Sequence, residues 1–511
     1  MRRIPNLACF LVALLVSVEA AFAEKNSANV PPPAPREFRG VWVATVENID
    51  WPSRPGLSTE QQKKEMLTIL DKCAELNLNA MIFQIRTQAD AFYPSKLEPW
   101  SEFLTGKMGQ APKPFYDPLE FAVNEAHKRG LQLHVWFNPY RVRVPGAKGD
   151  ASPDHASVKH ADVVRKYGKY LWFDPGEPKA EENFIAVLND VVKRYDIDGV
   201  HIDDYFYPYQ VKDEKGKVVP FPDDESYQRA VAKGEKLGRD DWRRKNVDHL
   251  IHHMYDEVKK AKPWVQVGIS PFGIWRPGNP PGIVGLDQYN TLYADARKWE
   301  REGWLDYLTP QLYWTVDSKG QNYPKLLGWW AEQNVKERHL WPGNFTSKIR
   351  RKSKDGDAEA TWSSDEIIRQ IEATRATPGA TGNVHFSMKA FLQDRDGINE
   401  KLKSGLYAEP ALVPESPWLG KETPGKPEVS THRVDAGVAV ELNLPRGKSP
   451  WQWLVQTQTA DGWKSAVVPG DEKKYVVKLA DGAEPKAVVV TGISRLGLEG
   501  KSAKAEIGKR K

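Results

Sequence analysis

The residues best suited to chemistry sit in one short stretch, DGVHIDDYFYPY at 198–209, where two adjacent carboxylates precede a run of rings. Val200 and Ile202 read as a short apolar strand leading into Asp203 and Asp204, and Tyr205, Phe206, Tyr207 and Tyr209 follow. Paired acids divide labour well, because a charged neighbour raises the pKa of the second carboxyl and keeps its proton on. Hydrolysis of a glycosidic bond needs that division: one carboxyl protonates the leaving oxygen and the other attacks or activates water. Strand alternation puts Val200 and Ile202 on one face and His201, Asp203 and Tyr205 on the other. Asp203 is therefore the expected ionised member, with Asp204 on the opposite side or at the start of the loop. Asp204 and Asp90 are the first candidates for proton donor, with Asp50, Glu47 and Asp174 behind them. The plain alternative is a structural acid paired to an arginine.

Other apolar runs end in similar polar tips. QIRTQADAFYPS offers Gln84, Arg86, Asp90 and Tyr93; HVWFNPYRV offers Trp136, Asn138, Tyr140 and Arg141; PQLYW offers Gln311, Tyr313 and Trp314. Arg86 and Arg141 suit carboxylates or an anionic sugar substituent, since the guanidinium fork matches carboxylate geometry, and salt bridges to loop acids are an equal alternative. The Trp and Tyr rings suit the apolar face of a pyranose, or simple packing. The expected substrate-binding set is Arg86, Trp136, Asn138, Tyr140, Arg141, His201, Tyr205, Tyr207, Gln311, Tyr313 and Trp314. His249, His252 and His253 fall at i, i+3 and i+4 on a helix, but without the H-E-x-x-H arrangement. No metal or cofactor is expected.

These tips need strands to carry them. Eight short apolar runs, at 40–45, 80–86, 131–138, 199–204, 265–270, 306–314, 340–345 and 383–388, alternate with helical patterns. Met66, Ile69, Leu70, Cys73 and Leu76 make one buried helix face, with Cys73 as a packed thiol, and Asp117-Pro118 opens the next helix as N-cap and N1. The alternation points to an α/β fold, a (β/α)8 barrel of the TIM type, whose active site gathers at the C-terminal ends of its strands. A doubly wound open sheet is the alternative, but no Gly-rich phosphate loop follows any strand. Beyond the Pro-rich stretch near 410–425, GVAVELNL, WQWLVQTQ, YVVKLA and AVVVTGISRLG alternate with period two, as in a small β-sandwich of fibronectin type III kind.

The chain has 511 residues and a formal charge of +5, too modest to suggest nucleic acid. Arg2 and Arg3, the apolar run from Leu7 to Val18 and Ala21-Phe22-Ala23 read as a secretory signal, and no later run is long enough to span a membrane. Its removal takes Cys9 and leaves only Cys73, so no internal disulfide is expected. Export to the periplasm or beyond narrows the partners to wall, glycan or envelope protein. The expected organisation is signal peptide 1–23, Pro-rich linker 24–35, barrel 36–406, linker 407–425 and sandwich 426–511, the last a spacer or an anchor to wall or envelope protein.

Taken in series, EFRGVWVATVENIDWPSRPGLS (37–58), FQIRTQADAFYPS, HVWFNPYRV, WFDPGEP (172–178), DGVHIDDYFYP, GISPFGIWR (268–276) and DYLTPQLYW resemble the glycosyl hydrolase-like family 10 domain. That resemblance implies a barrel glycosidase, and an activity on cell-wall glycan strands stripped of their peptide stems. More distantly, GVHIDD resembles the strand-four motif of other barrel glycosidases, whose Asp is the nucleophile, and that position is Asp203 here. A non-catalytic glycan-binding barrel is the rival reading, and a metal-dependent deacetylase or amidase is a third.

Overall fold

The computed structural model describes residues 30–350, 361–435, 437–478 and 485–507. The expected signal peptide, 1–23, lies outside these residues. The chain divides into two compact units, one of Arg36–Lys421 with Arg495–Gly497, the other holding Glu422–Ser494. No helix among the described residues is long and apolar enough to cross a membrane.

The large unit is built on nine parallel strands: β1 (Phe38–Val43), β2 (Ala80–Arg86), β3 (Gln132–Phe137), β4 (Gly199–Ile202), β5 (Gln266–Ile269), β6 (Tyr307–Leu308), β7 (His339–Leu340), β8 (Gly343–Asn344) and β9 (Gly382–His385). Their order across the sheet is β7-β6-β5-β4-β3-β2-β1-β9-β8. The two end strands are halves of one expected strand, parted by Trp341 and Pro342. Helices follow the strands, among them α1 (Thr59–Glu75), α2 (Pro118–His127), α3 (Pro178–Arg194) and α4 (Arg239–Ala261). Ser58 and Gln61 close a capping box on α1, and Asp117 caps α2 by accepting from the Leu119 and Glu120 amides. Cys73 is buried on α1 with its thiol pushed up to about 12 by burial, a packed and unreactive group.

Alternation along the strands separates two cores. Val41, Phe83, Val135, Val200, Ile202 and Val267 pack outward with the helices, whereas Phe38, Trp42, Ile82, Trp136, Tyr307 and Trp341 fill the inner face. The inner rings stack closely, with Phe38 and Trp341 at 3.6 Å and Tyr307 and Trp341 at 4.6 Å between centroids. Much of the tryptophan content is thus core.

A polar column threads these rings. Tyr307 Oη bonds His134 Nδ1 at 2.9 Å and His201 Nδ1 at 3.1 Å, and His201 Nε2 meets Trp42 Nε1 at 3.1 Å and Ser270 Oγ at 2.9 Å. Because the indole can only donate, His201 Nε2 accepts, and its proton sits on Nδ1 facing Tyr307. Burial holds both imidazoles neutral, His134 at about 4 and His201 well below the usual range. Two strand glycines make room: a Cβ at Gly199 would lie 2.3 Å from His134 Nδ1, and one at Gly268 would lie 1.8 Å from Tyr307 Cζ.

Residues 407–421, expected as linker, belong to the large unit. Tyr407 and Leu412 are buried, and Ser416 Oγ bonds Gln266 Nε2 at 2.9 Å and His339 Nε2 at 2.8 Å. The second unit has two antiparallel sheets. One orders Glu428–Val434, Gly437–Asn443 and Lys474–Lys478; the other orders Gly462–Pro469, Gln452–Thr459, Ala487–Ile493 and Ala503–Glu506. Val438, Val440, Trp453, Val455, Val488 and Val490 form its core.

Gly268→Ala places a methyl inside the Tyr307 ring. Overpacking of this kind costs about 1–3 kcal/mol, and urea unfolding should show at least that loss.

Candidate active site

β4 ends at Ile202, so the alternation that orients Asp203 no longer governs Asp204. The chain bends, and both carboxyls enter one cavity of about 260 Å³. The cavity is lined by Trp42, Val46, Ile49, Gln84, Trp136, Arg141, Asp203, Asp204, Tyr205, Tyr209, Ser270, Gln311, Tyr313 and Phe386. Every contributing segment follows, or closes, a parallel strand.

Asp203 is held from two sides. Trp136 Nε1 donates to Oδ2 at 3.1 Å, while Asn138 Nδ2 donates to Oδ1 at 3.0 Å and to Oδ2 at 3.3 Å. Asn138 is itself fixed, since its Oδ1 accepts from the Arg141 amide at 2.8 Å. Burial raises the Asp203 carboxyl to about 6, against the opposing pull of Arg141 and with the help of Asp204. Asp204 accepts from Tyr209 Oη, with Gln311 beside it, and burial raises its pKa as well. Two acids of perturbed and different surroundings in one aromatic cavity is the arrangement that acid–base cleavage of an acetal requires.

Arg141 comes from a three-stranded ribbon, Arg141–Arg143, Val164–Tyr167 and Tyr170–Phe173, inserted after β3. Its Nε donates to Thr87 O at 2.8 Å, and its guanidinium lies 4.9 Å from the Tyr205 ring centroid. The same ribbon steadies the aromatic loop, because Trp172 Nε1 donates to Phe206 O at 2.9 Å.

Of the residues expected to touch substrate, Trp136, Arg141, Tyr205, Gln311 and Tyr313 line the cavity, and Asn138 holds Asp203 from behind. The others are placed elsewhere. Arg86 is buried and makes a two-pronged pair with Glu98, Nε to Oε2 at 2.8 Å and Nη2 to Oε1 at 2.5 Å. Tyr140 is packed in the outer core, and His201 belongs to the polar column beneath the cavity. Tyr207 packs against Phe221 and Tyr293 and faces a separate cavity of about 180 Å³. Trp314 packs on Phe272.

Among the reserve acids, Asp90 is fully buried and spends its oxygens on the Thr87 and Gln88 amides and Thr87 Oγ1, tying the turn after β2. Asp50 accepts from the Ala44 and Lys389 amides and Ser387 Oγ, and Asp174 from Ser226 Oγ and the Gly176 amide. Burial raises both to about 6, but neither lines the cavity. Trp42, Val46, Ile49, Ser270 and Phe386 line it without having been singled out. Their signal was positional: each sits in or just after a strand, with a small or apolar side chain that carries no chemical flag. On the outer helices, His249 and His253 both bond Glu181, at 2.9 and 2.6 Å, and His252 stands apart from that trio.

The profile of the family described as glycosyl hydrolase-like 10 matches residues 37–364, from the start of β1 into the helix before β9. The chain belongs to the glycosyl hydrolase-like 10 family. It is 39% identical over 487 residues to the glycosyl hydrolase YngK of Bacillus subtilis, covering 92% of this chain and 93% of that one. It is 34% identical over 414 residues to the glycosyl hydrolase DigH of Escherichia coli K12, covering 75% and 92%. The catalytic domain of a β-amylase from Paenibacillus polymyxa is a looser structural likeness, with a TM-score of 0.48 at 12% identity, covering 74% of this chain and 98% of that one. The family match takes in Asp203, Asp204, Arg141 and nearly all of the cavity; Phe386 lies past its end.

The raised pKa of Asp203 has a cost with a definite sign. An unfolded aspartate titrates near ~4, so between about pH 4 and 6 the native state holds the extra proton and stability falls as pH rises. Asp203→Asn should therefore be more stable than the parent above pH 6, by about 2–3 kcal/mol, and equal to it below pH 4 in urea unfolding. Arg86→Met strands a buried carboxylate and should cost about 3–5 kcal/mol, visible as a lower urea midpoint.

Proposed function

We propose that this family member is an exported glycoside hydrolase acting on cell-wall glycan strands without their peptide stems, using carboxyl acid–base chemistry and no metal. The observation that carries the reading is the pair Asp203 and Asp204, buried together in an aromatic-walled cavity with separate hydrogen-bond partners. Asp203, which accepts N–H bonds from Trp136 and Asn138, is the group that works ionised; those donors favour the charged form and aim it. Asp204, held by Tyr209, is the proton donor to the leaving oxygen. The rings of Trp42, Trp136, Tyr205 and Tyr313 offer faces for pyranose rings.

The scaffold is proposed to be a (β/α)8 barrel with β7 and β8 as its split seventh strand. In support, the Trp341 and Gly343 amides donate to Leu308 O and Pro310 O on one side, each at 2.9 Å, and Val384 N donates to Pro342 O at 3.0 Å on the other. The second unit is proposed to be a fibronectin type III-like sandwich serving as spacer or as anchor to wall or envelope protein. Its three-plus-four strand order supports that reading. Residues 1–23 are proposed as the export signal, on their composition.

The test is incubation of the mature protein with peptide-free cell-wall glycan, with products followed by mass spectrometry. Short sugars should appear, persist with chelator present, and fall roughly 10³-fold or more in Asp203→Asn. Glycan binding without products would favour a non-catalytic barrel, and loss of activity with chelator would favour a metal-dependent hydrolase.

A further inference from the structure

We infer that Arg141 and Gln84 form a carboxylate-binding subsite beside the acid pair, so that the preferred glycan carries a carboxylate on the sugar bound there. The inference rests on the glycosidase reading above and adds what the enzyme selects. Both residues line the cavity, and both are more than nine-tenths buried.

Each carries an unused, buried donor on a fixed mount. Gln84 Oε1 accepts from the Thr45 and Val46 amides at 3.0 and 2.9 Å, which settles the orientation of its amide. Its Nε2 then has no acceptor among the described residues. Arg141 is pinned through Nε to Thr87 O and lies over the Tyr205 ring, yet its buried Nη2 also lacks an acceptor. A buried donor left without a partner is costly, most of all on a charged group. Two of them on residues that line one cavity are a demand that a ligand can meet.

The charge of Arg141 decides the class of acceptor. A planar, permanently charged fork matches a carboxylate better than a hydroxyl. The neighbouring acids do not quench it. Both attract it through space, but neither makes an ion pair with it among the described residues. Burial also draws both acids toward their neutral forms, so the positive charge is least opposed at mildly acidic pH. Arg86, the other arginine at a strand tip, is saturated by Glu98 and by the Asn138 and Pro139 carbonyls, and offers nothing.

The test compares peptide-free cell-wall glycan with the same glycan after its carboxyls are reduced to primary alcohols, by kcat/KM and by equilibrium binding. The parent should prefer the carboxylate form by roughly tenfold or more, as expected for a charge-assisted hydrogen bond. In Arg141→Met that ratio should fall to near one. Gln84→Glu keeps the acceptor that holds Thr45 and Val46 but loses the donor, and should shrink the ratio too. Equal cleavage of both glycans by the parent, or a ratio that survives in both variants, overturns the subsite and leaves the glycosidase reading standing. If a variant slows both glycans equally, Arg141 only tunes Asp203 and the subsite is likewise overturned. If the parent cleaves neither glycan, the glycosidase reading fails, and the binding ratio alone decides: tighter binding of the carboxylate form upholds the subsite and equal binding ends it.

Discussion

The burial of the Asp203 carboxyl at the end of a strand is the constraint around which the large unit is arranged. A carboxyl taken out of water is unstable as an ion unless donors replace its hydration. Here the replacement is partial: Trp136 and Asn138 supply N–H groups, and Arg141 supplies charge at a distance. Full compensation by a close ion pair, as Arg86 receives from Glu98, would have fixed the group in one protonation state. Incomplete compensation leaves it poised near about 6, where it can change state.

That poise depends on what lies beneath. The inner face is plugged by stacked rings and by the neutral His134–Tyr307–His201 column, so the groups directly below the acids are uncharged. Trp42 and Ser270 serve twice, as cavity wall and as upper members of the column. The column needs Gly199 and Gly268, whose missing side chains give the rings their space. The glycine opening the GVHIDD motif is therefore tied to His134 on the neighbouring strand.

Much of this was legible in the chain itself. All eight expected strands occur, because each is an apolar run buried on both faces and bounded by turns. Asp203 was legible because period-two alternation holds up to Ile202. Asp204 falls at the second of its two expected positions, the start of the loop, because the strand stops at Ile202. The strand-tip residues divided for a reason that residue type does not reveal: Arg86 and Arg141 look equivalent in sequence, but Glu98, in the loop after β2, claims only Arg86. Tyr140, His201, Tyr207 and Trp314 were over-read because a ring that packs and a ring that stacks on sugar have the same composition. Val46, Ile49 and Phe386 were passed over because a wall needs shape more than functional groups.

The ribbon inserted after β3 divides the site in another sense. The acids and their immediate holders, Trp136 and Asn138, ride on β3, β4 and the turns that follow them, whereas Arg141 and the buttress of the aromatic loop arrive on the insert. The proposed acid pair and the cation beside it therefore ride on different pieces of chain, joined where the Arg141 amide holds Asn138. A change in the ribbon would reach Asp203 through that amide and through the charge of Arg141.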